Sequence, residues 1–176
     1  RRRMTLTLVL GGARSGKSGY AQRQAERAAE ATGRPPVFIA TAEAFDDEMR
    51  DRIARHQAER GQGWRQVEAP LNLAEAVRAL SAKDVAVVDC LTLWLSNQML
   101  AERDLAAAVD DLTQALAVCP ARLWVVSNEV GWSLVPDNPL GRRFRDEAGR
   151  LNQRIAALAD ETWLIAAGMG LPLQRL

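Results

Sequence analysis

Few side chains here can act as a nucleophile or carry a proton near neutral pH. The 176 residues include one histidine, His56, and two lysines, Lys17 and Lys83, so 21 of the 23 basic residues are arginine. Two cysteines, Cys90 and Cys119, are too few for a disulfide framework and lack the spacing of a metal site. That usage fits a reducing, cytoplasmic compartment. No apolar run approaches the ~20 residues that span a bilayer. Net charge is +1, so the positive field expected of a nucleic-acid or anionic-membrane binder is missing. The composition of a disordered chain is missing too, since 48% of residues are hydrophobic. Repeats, low-complexity tracts and a secretory pattern do not occur. Met4 reads as a natural start, which makes Arg1, Arg2 and Arg3 an extension without functional weight. The expectation is one domain over 1–176, with a polar excursion at 44–63.

What is present is a regular alternation. The apolar and β-branched run at 5–10 stops at Gly11-Gly12 and predicts a buried strand. Further strands are predicted at 37–40, 64–68, 85–88, 123–126 and 163–166. A short strand at 171–176 can only be an edge, because of Pro172. Helices are predicted at 17–31, 46–60, 91–102, 105–118 and 140–158, and around Leu73, Val77 and Leu80. Leu140, Phe144, Ala148, Leu151, Ile155 and Leu158 form the cleanest helical stripe. Most strands are continuously apolar. Together these features predict a three-layer α/β fold, its mainly parallel sheet covered by helices on both faces and carrying an antiparallel edge strand. Ligands in such sheets bind beyond the carboxyl ends of the strands. Chemistry is therefore sought after Leu10, Ala40, Glu68, Val88 and Val126.

Gly11-Gly12-Ala13-Arg14-Ser15-Gly16-Lys17-Ser18 matches the phosphate-loop pattern in full, between a predicted strand and a predicted helix. Glycines let backbone N–H groups turn around phosphate oxygens, and the helix N-terminus favours negative charge. Lys17 reaches the β- and γ-phosphates, and the Ser18 hydroxyl ligates Mg²⁺. This narrows the fold to the P-loop, RecA-like kind. Asp89, ending a buried strand, is the expected second metal-site carboxylate. Cys90 rather than a glutamate follows it, which weakens a water-activating ATPase reading.

His56 lies on a predicted polar helix with Arg52 and Arg60 four residues to either side, on its own face. Arginines around one imidazole bind phosphate oxygens and disfavour its protonation. A neutral ring can then attack phosphorus. The spacing equally suits a solvated helix with an incidental histidine.

Several segments together resemble one family. They are the loop at 11–18, Ile39-Ala40-Thr41-Ala42, Asp47-Glu48-Met49, Arg52-Ile53 with His56, and residues 64–70. Further on come Val88-Asp89-Cys90-Leu91-Thr92, Asn128-Glu129-Val130-Gly131, Val135-Pro136 and residues 144–153. This pattern is similar to the bifunctional adenosylcobinamide kinases / adenosylcobinamide-phosphate guanylyltransferases of cobalamin biosynthesis, over nearly the whole chain from Met4. The resemblance implies phosphorylation of the aminopropanol hydroxyl of adenosylcobinamide by a nucleoside triphosphate, ATP or GTP. It then implies transfer of GMP from GTP to that phosphate through a GMP-histidine intermediate at His56. It implies nucleotide contacts at Gly11, Gly12, Ala13, Arg14, Ser15, Gly16, Lys17 and Ser18, and at Ala40, Thr41 and Ala42. Gln57, Ala58, Glu59, Arg60, Glu68 and Asp89 complete that implied set. A homotrimer is implied as well.

Three other readings compete: a small-molecule kinase with a structural His56, a nucleic-acid-dependent RecA-like ATPase, and a nucleotide-sensing switch. The second would need Arg142, Arg143, Arg145, Arg150 and Arg154 to form a basic face. Trp94, Trp124 and Trp163 read as core. Trp132 reads as packing or a contact for a flat corrin. Asn128 and Glu129, ending a central strand, suit a substrate or γ-phosphate role.

Overall fold

The computed structural model describes residues 5–176, so the expectations for Arg1–Arg3 and Met4 lie outside the described residues. Strands and helices alternate: β1 (Leu6–Gly11), α1 (Lys17–Glu30), β2 (Val37–Ala40), α2 (Asp47–Arg60), β3 (Arg65–Glu68), α3 (Leu73–Arg78) and β4 (Val85–Asp89). Then come α4 (Leu91–Leu100), α5 (Leu105–Val118), β5 (Arg122–Asn128), α6 (Pro139–Leu158), β6 (Glu161–Ala166) and β7 (Met169–Pro172). Among the described residues the strands form one sheet in the order β3-β2-β4-β5-β1-β6-β7, parallel except for the β6–β7 pair.

Strand alternation divides the core between the two faces of the sheet. On one face Val9, Phe38, Val87, Trp124 and Val126 meet α1 through Ala21, Ala25 and Ala29. These alanines recur every four residues, and their small size lets the helix lie close on the sheet. On the other face Leu8, Ile39, Val88, Leu123 and Val125 pack with Leu73, Leu91, Leu95, Leu112, Leu151 and Ile155 of the remaining helices. Truncating one of the fully buried leucines to alanine costs about 2–5 kcal/mol. Asp84 ties the opposite end of the sheet. Its carboxylate accepts from the Ser81 N–H and hydroxyl and pairs with Arg65 at 3.2 Å and Arg34 at 3.4 Å. Burial pushes its acidity down, but the Ser81 bonds and the two arginines outweigh this and hold its pKa below the ordinary carboxylate value.

The structure corrects three details. The last strand is Met169–Pro172, not 171–176, because Ala167 and Gly168 both take positive φ (52° and 73°) and close a tight hairpin. Leu140 belongs to the predicted stripe but is exposed, in the first turn of α6; Ala148, Leu151 and Ile155 make the buried apolar face. Trp163 is only partly buried. The helix α2 packs on neither face and has no buried residue.

Candidate active site

The phosphate loop leaves β1 at its carboxyl end. Gly11 admits no side chain, because a Cβ there would lie 2.5 Å from Ser15 Oγ and 2.6 Å from the Ile165 carbonyl oxygen. Gly16 precedes α1 with φ +96°, a conformation L side chains rarely adopt. No side chain caps α1, so its first N–H groups are open to an anion. From the β6–β7 hairpin, Gly168 N–H donates to Ser15 O at 2.8 Å and braces the loop. Lys17 is 8% exposed and its Nζ donates to Gly12 O at 3.0 Å. Ser15 Oγ is buried without a hydrogen-bond partner among the described residues, an arrangement costing about 1–3 kcal/mol until a ligand answers it.

Asp89 ends β4, separated from β1 by β5, yet its carboxylate is the meeting point of the site. Burial pushes its pKa up. The Ser18 hydroxyl donates to it, and Lys17, Arg60 and His56 draw it part of the way back. Strand register places Ala40 opposite both Asp89 and Glu68, so these three residues form a row along the strand ends. Thr41 is fully buried. Its hydroxyl donates to Cys90 O at 2.7 Å and accepts from Cys90 N–H at 2.8 Å, fixing the backbone just after Asp89. Burial, then the Asp89 charge, raises the Cys90 thiol, so it stays protonated.

Asp46 caps α2 by accepting from Met49 N–H at 2.7 Å, and the helix carries His56 out over the Asp89 end of the sheet. The imidazole is 59% exposed, with Nδ1 at 3.5 Å from Glu59 Oε2. Arg60 folds down instead of outward: its guanidinium lies 3.6 Å above the Phe38 ring and donates to Gln66. Burial lowers the Arg60 pKa, against the pull of Asp89. Arg52 and Arg60 stay one helical turn to either side of His56 on α2, and Arg60 also feels the Asp89 charge. Gln57 is partly buried, Ala58 and Glu59 face solvent, and Glu68 is exposed at its strand end.

One positioning residue was not singled out in the sequence, although it lies within the quoted segment 144–153. Asn152 of α6 is buried: its Oδ1 accepts from Ser127 Oγ at 2.6 Å and its Nδ2 donates to Asn128 O at 3.1 Å. Its place in the apolar stripe, four residues after Ala148, was the available signal. Asn128 in turn donates to Thr92 Oγ1 at 2.6 Å, and Glu129 N–H donates to Gly11 O at 3.1 Å. The end of β5 is thus pinned between the phosphate loop and Asp89. The arginines of α6 do not act as one basic face. Arg142 and Arg145 donate to the carbonyls of Pro136 and Gly131, and Arg150 and Arg154 pair with Glu147 and Asp110. Trp132 is exposed. Among the described residues no helix is long and apolar enough to cross a membrane.

The cobinamide kinase / cobinamide phosphate guanyltransferase family matches residues 7–173. A bifunctional adenosylcobalamin biosynthesis protein, CobP, of Pseudomonas aeruginosa is 45% identical over 95% of this chain and 96% of its own length. Its counterpart CobU of Salmonella typhimurium is 40% identical over 96% of this chain and 99% of its own. Among solved structures, a KaiC-like protein from Pyrococcus horikoshii superposes with a TM-score of 0.50 at 17% identity, covering 91% of this chain and 70% of that one. That likeness bears on the fold alone, which is RecA-like.

Proposed function

The chain belongs to the cobinamide kinase / cobinamide phosphate guanyltransferase family, and on that premise we propose that one phosphate site serves both of its reactions. What supports this reading is that the Asp89 carboxyl, at the strand ends, feels the Ser18 hydroxyl and the charges of Lys17, Arg60 and His56 together. In the first reaction the loop at 11–18 holds a nucleoside triphosphate, ATP or GTP. The aminopropanol hydroxyl oxygen of adenosylcobinamide attacks the γ-phosphorus and gives its proton up to solvent, the bond from the γ-phosphorus to the bridging oxygen breaks, and the nucleoside diphosphate leaves with that oxygen. Lys17 balances the charge that develops. In the second reaction a His56 ring nitrogen attacks the α-phosphorus of GTP through its lone pair, and pyrophosphate leaves. A phosphate oxygen of the corrinoid then attacks, the P–N bond breaks, and adenosylcobinamide-GDP forms.

The chain's donors fit Mg²⁺. It takes few protein oxygens beside those of phosphate, and Ser18 Oγ and the Asp89 carboxylate lie together for that purpose. When bound, the ion would neutralise phosphate charge. Arg14, Ser15 and the loop backbone from Gly11 to Gly16 surround the phosphates. Ala40, Ala42, Gln57, Ala58, Glu59, Arg60 and Glu68 line the way towards His56, and Thr41 acts through the backbone it fixes. The enzyme is read as a cytoplasmic homotrimer. The second step needs an imidazole and the first does not, so His56→Ala and His56→Asn should lose guanylyl transfer and keep measurable kinase activity. A covalent GMP adduct on His56→Ala, or equal loss of both activities in a folded variant, would refute the assignment.

A further inference from the structure

A cleft of about 330 Å³ opens on the far side of β5 from α2, and the chemistry above does not use it. Gly131, Arg145, Asp146, Gly149, Arg150 and Gln153 line it. Its two walls are fixed to the phosphate site. Asn152 holds α6 to the end of β5, and Glu129, two residues before Gly131, is bonded to Gly11. Arg145 bridges the walls by donating to Gly131 O at 3.1 Å.

Gly149 is the informative residue. It lies in the interior of α6, its φ is ordinary, and no atom stands within 4 Å of where a Cβ would be. Glycine there destabilises the helix relative to alanine. Neither crowding nor backbone conformation within the chain asks for it. What the missing side chain does provide is floor space in the cleft. Beside the cleft the same loop exposes large apolar surface, with Trp132 at 74% and Leu134 at 91%.

We infer that this cleft docks the acceptor of the kinase reaction, an amide-rimmed corrin macrocycle whose alcohol arm reaches past Glu129 to the phosphate loop. The inference rests on the function proposed above. Three features select this ligand chemistry. The lining both donates, through Arg145, Arg150 and Gln153, and accepts, through Asp146 and Gln153. Primary amides do the same, whereas an anion would gain nothing from Asp146. The exposed Trp132 and Leu134 suit the face of a flat ring. The nucleotide and His56 occupy the β2 and β4 end of the site, which leaves the β5 side as the open approach to the γ-phosphate.

Gly149→Leu tests it, because its Cβ would stand in open space and leucine favours the helix. Equilibrium dialysis with adenosylcobinamide, monitored by corrin absorbance, should show binding weakened at least about tenfold relative to wild type. The nucleotide KM and the yield of GMP adduct should stay unchanged. Gly149→Ala should bind corrinoid within about threefold of wild type and melt at a higher temperature. Unchanged corrinoid affinity in Gly149→Leu overturns the inference. So does an equal loss of nucleotide affinity, or a changed sedimentation mass, which would make the cleft a contact between copies. A wild-type protein that binds no corrinoid would instead overturn the functional proposal along with it.

Discussion

Asp89 is held at a cost to stability. Its pKa is raised by burial despite Ser18, Lys17, Arg60 and His56. A folded carboxyl with a raised pKa binds more protons than its unfolded form between the two values, so its penalty grows as pH rises through that window. Asp89→Asn should therefore raise the melting temperature of the ligand-free protein at pH 7, and this gain should vanish in acid, where both side chains are neutral. The same variant should lose nucleotide-dependent activity. Calorimetry across pH, with assays in parallel, checks both halves. Lys17 has no substitute, as Lys83 lies in the turn before β4 at the opposite end of the sheet. Lys17→Ala should reduce adenosylcobinamide phosphorylation by about 10²–10³-fold or more, read as kcat, as expected for losing a charge that acts on the transferring group.

At the scale of elements, the contrast is between α1 and α2. Packed alanines hold α1 on the sheet, whereas α2 has no buried residue and hangs from the Asp46 cap and the Arg60–Phe38 stack. Local opening is easiest where little apolar surface is buried. Hydrogen exchange should find α2 amides unprotected relative to α1 without ligand, and GTP should slow them. Equal protection of both helices in the free protein would contradict this. Asp46→Ala removes a cap worth about 1 kcal/mol and should slow adduct formation more than phosphorylation. This contrast also shows what the sequence could convey. The strand, glycine loop and helix at 5–31 were readable because each residue there answers a local rule. The helix of His56 was readable as a polar excursion, and α2 indeed buries no residue, but a segment without apolar periodicity gives no sign of where over the sheet it lies. Arg60 lying on Phe38 depends on a contact 22 residues away. The β6–β7 hairpin turns on Ala167-Gly168, which lacks the usual Asn-Gly signal. Asn152 was hidden inside an apolar stripe.

Over the whole molecule, the sheet order sets the working geometry. Inserting β5 between the phosphate strand and the Asp89 strand gives the site two sides, with His56 on one and the Gly149 cleft on the other. With the acceptor docked as proposed above, donor nucleotide and acceptor alcohol would approach one set of phosphates from different sides. The outer edge of the sheet, β7, exposes Met169 and Leu171, apolar surface that assembly would remove from water. Sedimentation equilibrium should give a mass three times the 19.3 kDa chain, and a monomer at assay concentration would contradict the trimer. The central claim is that guanylyl transfer passes through His56. Its most direct test is incubation of the wild-type protein and His56→Ala with GTP labelled at either the α- or the γ-phosphate. The account predicts that α-label stays on the wild-type protein, labile in acid and stable in base, that γ-label does not, and that His56→Ala retains neither; α-label retained by His56→Ala, or absent from active wild-type enzyme, would contradict it.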